Sequence, residues 1–133
     1  MAIQEVTVIG AGTMGAGIAS AVISAGFTVH MIDITVDLLA KGKKSVEKIL
    51  ARSVEKEKIT EAERANALQN IHYSTDLTTA CSSQLVIEAV TENREIKTKL
   101  FARLCFNRSR AYRRDTSHYS QYPRSIRFSW LER

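Results

Sequence analysis

The sequence predicts an α/β fold: a parallel sheet of four strands in spatial order 3-2-1-4, covered by helices. Three observations carry that prediction. Short β-branched or apolar runs at residues 6–9, 28–34, 71–74 and 85–90 alternate with stretches of helical periodicity. Strand, helix and strand in succession imply parallel pairing through right-handed crossovers. A length of 133 residues, 44% hydrophobic and 25% charged, suits a soluble domain able to bury a core.

Each element follows from local chemistry. Residues 6–9 (V-T-V-I) end at Gly10 and suit a strand buried on both faces. Residues 14–25 are rich in Ala, Ile and small side chains, and Gly26 ends them as a C-terminal glycine does. Residues 28–34 read as the second strand. From Asp37, Leu39, Val46, Ile49, Leu50 and Val54 recur at helical spacing, which predicts a long helix to about Glu57. Thr60 followed by Glu63 is a capping box that opens the next helix, and the two helices are expected to project as an arm. Residues 71–74 read as a third strand, with Thr75 or Asp76 capping a short helix behind it. After the fourth strand, residues 94–104 place Ile96, Leu100, Phe101 and Leu104 on one side of an amphipathic helix.

Charge divides the chain sharply. Residues 1–105 carry 12 Lys+Arg and 12 Asp+Glu, whereas residues 106–133 carry seven Arg against only Asp115 and Glu132. The net charge of +5 therefore sits wholly in the last 28 residues, which also hold six of the nine aromatics and no Gly or Val. This change in composition predicts a domain at 1–105 and a basic, aromatic tail at 106–133. No run of eighteen apolar residues exists, so no membrane span is expected, and no secretory signal pattern opens the chain. Cys81 and Cys105 are too far apart for C-x-x-C and have no His at metal-ligand spacing. They are expected to be reduced thiols in a cytoplasmic protein that holds no metal.

The chemistry lies in V-T-V-I-G-A-G-T-M-G, where Gly10, Gly12 and Gly15 form G-x-G-x-x-G between a strand and a helix. Gly10 permits a tight turn, Gly12 lets backbone approach a pyrophosphate, and Gly15 lets helix and strand pack closely. The N–H groups and positive dipole end of the helix would then attract phosphate. Asp33 follows 18 residues beyond Gly15, at the end of the second strand, placed to accept from ribose hydroxyls. Its charge would repel a 2′-phosphate, and Ile34-Thr35 supplies no Arg to receive one, so NAD is favoured over NADP. FAD, which uses the same fingerprint, stays open on these residues alone. The plain alternative is that the glycines serve only turn and packing. With the fingerprint in place, the fold class is a partial Rossmann domain.

Together with H-M-I-D at 30–33, L-A-K-G-K-K at 39–44, K-I-T-E-A-E at 58–63, S-T-D-L at 74–77 and V-I-E-A-V-T-E-N at 86–93, this segment resembles the amino-terminal domain of 3-hydroxyacyl-CoA dehydrogenases. Residues 58–63 and 74–77 resemble especially the bacterial 3-hydroxybutyryl-CoA enzymes, and the likeness runs over about residues 4–104. It implies NAD-dependent interconversion of 3-hydroxyacyl-CoA and 3-oxoacyl-CoA. It implies that Gly10, Ala11, Gly12, Thr13, Met14 and Gly15 hold the pyrophosphate, and Asp33 the adenine ribose. Glu92 and Lys97 would contact the cofactor near its nicotinamide half, and Lys56 would bind coenzyme A. Plainer readings stand beside these: Glu92 as an acid at a helix start, Lys97 and Lys56 as solvated lysines, with Lys41, Lys44, Lys48 and Lys58 on the same helical pair. His30, His72 and His118 have no carboxylate placed by sequence to orient them, and no catalytic role is expected of them.

The family continues past its counterpart of residues 94–104 into an N-T-S-S-like segment, an H-F-F-N-P segment bearing the catalytic base, and a helical domain that forms the homo-oligomer. Residues 105–133 carry none of these, which suggests an aberrant frame or alternative end joined to a truncated dehydrogenase. The expectation is an NAD-binding portion without catalytic residues. The second reading is a non-catalytic NAD(H)-binding module whose Arg- and aromatic-rich tail engages nucleic acid.

Overall fold

The computed structural model describes residues 2–90, 93, 95–100 and 102–104. Strands β1 (Glu5–Ile9), β2 (Thr28–Ile32), β3 (Ile71–Ser74) and β4 (Leu85–Glu88) form one parallel sheet in the order β3-β2-β1-β4. This is the expected Rossmann arrangement. The crossovers are helix α1 (Thr13–Ser24), then α2 (Val36–Glu55) with α3 (Glu61–Gln69), then a 3₁₀ turn at Leu77–Cys81. Residues 95–100 and 102–104 are helical. The basic tail at 106–133 lies outside the described residues, as does Cys105.

Both faces of the sheet are covered, for the reason its β-branched strands suggest. On one face Val6, Val8, Val29, Met31 and Ile71 meet Ala16, Ala19 and Ile23 of α1, Leu39, Val46 and Leu50 of α2, and Ala67 of α3. On the other, Ile9 and Ile32 meet Leu77 and Ala80, with Val86, Val90, Leu100 and Leu104 packed around them. The buried Thr7 hydroxyl would be costly alone, and it shares a 2.7 Å hydrogen bond with that of Ser83.

The caps obey local chemistry. Ala25 closes α1, and Gly26 follows with φ +89°, a conformation suited to glycine. The Thr35 hydroxyl accepts from Leu38 N (3.2 Å) at the start of α2. At Thr60 the capping box is complete: Thr60 Oγ1 accepts from Glu63 N, and Glu63 Oε2 accepts from Thr60 N at 2.7 Å. The bond from Thr60 N, with a second donated by Thr60 Oγ1 at 3.0 Å, holds the Glu63 carboxyl below its ordinary ionisation range. Asp76 caps the 3₁₀ turn, accepting from Thr78 N at 2.8 Å.

Several boundaries differ from those expected. β2 stops at Ile32 and the chain turns outward, leaving Ile34 85% exposed. β4 stops at Glu88, two residues early, because the Glu88 side chain accepts from Val90 N and closes a turn. Ile96 does not share the buried side of its helix with Leu100 and Leu104; it is half exposed. The helical pair projects only at its tip. Leu39, Val46 and Leu50 fasten most of α2 to the core, and exposed residues gather beyond them.

Candidate functional site

The carboxyl ends of β1, β2 and β4 converge on the glycine loop. Gly10 donates its N–H to Ile32 O at 2.8 Å and stands at φ +106°. A Cβ there would lie 2.7 Å from Ala89 O, so both conformation and space demand glycine. Gly15 is more restricted still: its Cβ would fall 1.8 Å from the carbonyl oxygen of Gly10. The first turn of α1 therefore rests directly on the loop.

Gly12 is different. It is the N-cap of α1, with no side-chain cap hydrogen bond and no acidic residue in the first turn. A Cβ at Gly12 would meet nothing within 4 Å among the described residues. The helix thus presents its positive end, without a resident anion, to open space. Thr13 and Met14 are exposed beside it, Met14 to 70%, while Ala11 is buried.

Asp33 sits alongside, half-buried. One carboxylate oxygen, Oδ2, accepts from Ala11 N at 2.7 Å, and Oδ1 accepts from Ile34 N at 2.7 Å. A carboxylate has about four lone-pair positions, so two remain for further donors. The acid has a structural duty as well, tying the loop after β1 to the end of β2.

On the β4 side, Glu88 is paired in register with Ile9, the residue before Gly10. Lys97 Nζ lies 3.3 Å from Glu88 Oε2, with side-chain exposures of 26% and 15%. Lys97 is therefore an ion-paired lysine, which corrects the view of it as merely solvated. Asn93 caps the helix that carries it, its Oδ1 accepting from Glu95 N (3.0 Å) and Ile96 N (3.2 Å). Glu92 lies outside the described residues.

Lys56 lies away from this edge, at the tip of the helical pair. It and Lys58 line a concavity of ≈ 230 Å³ with Ile49, Arg52 and Ser53. Lys41, Lys44 and Lys48 do not line it. Arg52 and Ser53 were not evident from sequence, although Arg52 stands four residues before Lys56, at helical spacing. Nor was the role of Gly42, within α2. A Cβ there would lie 2.7 Å from Ala11 Cβ, so this glycine brings α2 against the loop. His30 and His72 stack at 5.3 Å, and His30 Nε2 lies 3.8 Å from Glu5 Oε2. Both rings are set back along their strands: His30 is the register partner of Thr7 on one side and of His72 on the other. Among the described residues no group of three or more His, Cys, Asp or Glu could hold a metal ion.

Residues 5–111 match the family described as 3-hydroxyacyl-CoA dehydrogenase, NAD binding domain. The chain belongs to that family. The mitochondrial hydroxyacyl-coenzyme A dehydrogenase of Sus scrofa is 44% identical over 109 residues, which cover 77% of this chain and 34% of that protein. A 3-hydroxybutyryl-CoA dehydrogenase of Mycobacterium tuberculosis is 43% identical over 103 residues, 77% of this chain and 36% of its own. The crystal structure of (S)-3-hydroxybutyryl-CoA dehydrogenase from Ralstonia eutropha superposes with a TM-score of 0.74 at 42% identity, over 77% of this chain and 36% of that one. The chain thus spans about a third of the length of the curated relatives it matches. Its family binds NAD, which removes FAD from the alternatives.

Proposed function

We propose that this chain binds NAD at the glycine loop and serves as the cofactor-binding part of an oxidoreductase that interconverts short-chain 3-hydroxyacyl-CoA and 3-oxoacyl-CoA. The observation that carries this reading is the open, uncapped start of α1 at Gly12, with Asp33 fastened beside it. The backbone of Gly10–Gly15 would hold the pyrophosphate, as N–H groups at a helix start hold anions. Asp33 would accept from the adenine ribose hydroxyls through its remaining lone pairs. Lys97, together with Glu92, would meet the nicotinamide half. When bound, NAD supplies the acceptor for hydride leaving the hydroxyl-bearing carbon. The concavity at Arg52, Lys56 and Lys58 offers three cations to the phosphates of coenzyme A, which supports Lys56 as a substrate contact. No described helix is long and apolar enough to cross a membrane.

Calorimetric titration tests the cofactor reading. NAD should bind the 133-residue chain and NADP more weakly, because Asp33 repels the added phosphate. Asp33→Asn keeps one acceptor but loses the charge, and should weaken NAD while narrowing the difference between the two nucleotides. Equal affinities for NAD and NADP in the unsubstituted chain would contradict the assignment.

A further inference from the structure

We infer that Glu88 is a positioning residue for the cofactor, aiming Lys97 at the carboxyl edge of the sheet and fixing the turn beside the glycine loop. The inference rests on the reading that Lys97 meets the nicotinamide half of NAD. Glu88 ends β4, and its side chain lies on the sheet face covered by the terminal helix, as alternation from Val86 requires. Its two oxygens do different work. Oε1 accepts from Val90 N at 2.7 Å, which turns the chain out of the strand. Oε2 lies 3.3 Å from Lys97 Nζ on the next helix. Between these contacts, Ala89 donates its N–H to Ile9 O at 2.8 Å, and its carbonyl oxygen fills the space that a Cβ at Gly10 would need. One carboxylate therefore couples the loop side of the sheet to the helix that presents the ammonium.

The partial burial of the pair gives this coupling its force. A solvated lysine keeps the rotamer freedom of its four-carbon stem. Held against a carboxylate that is 15% exposed, it is confined before any cofactor arrives. Asp33 serves the adenosine end, so the two acids divide the dinucleotide between them.

Glu88→Gln tests the division, since the amide oxygen can still accept from Val90 N while the charge facing Lys97 is lost. NADH and ADP-ribose, which lacks nicotinamide, are titrated into the full chain and into Glu88→Gln, Lys97→Met and the double variant. Either single change is expected to weaken NADH about five-fold, the double change no further, and ADP-ribose affinity to stay constant. Equal losses for both ligands would reduce Glu88 to fold support and overturn the inference. So would an unchanged NADH affinity in Glu88→Gln, or additive losses in the double variant. A wild-type chain that binds neither ligand fails at the dinucleotide reading itself, and the inference falls with it. If Glu88→Gln does not fold, Glu88→Asp makes the same comparison by shortening the reach while keeping the charge. It too should lose NADH affinity selectively.

Discussion

Gly12 and Gly15 are three residues apart, and adding one methyl group to each should have opposite consequences. At Gly15 the methyl would meet a backbone oxygen at 1.8 Å, which no side-chain rotation relieves. Gly15→Ala is expected to cost about 3 kcal/mol or more, visible as a loss of cooperative thermal unfolding near the wild-type temperature. At Gly12 the methyl meets nothing among the described residues, and the backbone is extended at φ −72°, where alanine is at ease. Gly12→Ala should therefore stay within about 1 kcal/mol of wild-type stability. On the proposed reading, in which the pyrophosphate would approach there, its NAD affinity should nevertheless fall at least about ten-fold. Thermal melts and calorimetry on the two variants separate packing from ligand contact. A Gly12→Ala chain that binds NAD normally would remove Gly12 from the site. The sequence made all three loop glycines legible, because the fingerprint is local. It could not show that the Gly10 carbonyl closes off Gly15 while Gly12 meets nothing among the described residues, since that depends on what stands opposite each.

Among the elements, β3 carries a strain that pH should expose. The Tyr73 hydroxyl is buried without a hydrogen-bond partner among the described residues. Burial first, and the Glu47 carboxylate second, push its ionisation up to about 12. An unfolded tyrosine ionises near 10, so between about pH 10 and 12 the unfolded chain releases a proton that the folded chain retains. Stability contributed by the neutral phenol is thus complete below about pH 10 and lost as pH rises through the folded value. Tyr73 is only half-buried, so solvent screening should keep the loss well under the limit of ~1.4 kcal/mol per pH unit. Tyr73→Phe should flatten this alkaline decline in denaturant melts and leave neutral stability equal or up to ~1 kcal/mol higher. An undiminished decline in the variant would place its cause elsewhere. At this scale the sequence was legible where the signal was local: the four strands, the capping box at Thr60 and Glu63, the glycine after α1. It misled at Ile96, where helical periodicity marks a face but not how far the neighbouring surface reaches. It was silent on Glu88–Lys97 and on Gly42 against Ala11, because those partners meet only through the sheet order.

For the molecule as a whole, the proposed function separates cofactor binding from proton removal. Hydride can leave a secondary alcohol only as its hydroxyl proton is taken, so turnover needs a base within hydrogen-bond reach of that hydroxyl. The described carboxylates at the carboxyl edge are engaged: Asp33 accepts from Ala11 and Ile34, and Glu88 holds Val90 and Lys97. The described histidines, His30 and His72, are stacked on each other and set back with Thr7, two residues short of the strand ends at Ile9 and Ile32. A ring there cannot attend a substrate bound outside the sheet without unpairing β2 and β3. The last 28 residues bring one histidine, His118, which lies outside the described residues. The 133-residue polypeptide is therefore expected to bind NAD without oxidising NADH in the presence of acetoacetyl-CoA, even at high protein concentration. Absorbance at the NADH band, followed against a protein-free blank, measures this. Turnover above the blank would mean that a base reaches the edge, and its persistence in a His30→Ala, His72→Ala double variant would direct the search to His118 or Glu92. Binding without turnover would instead match the proposed division, in which this sheet would hold the dinucleotide and leave the proton to other residues.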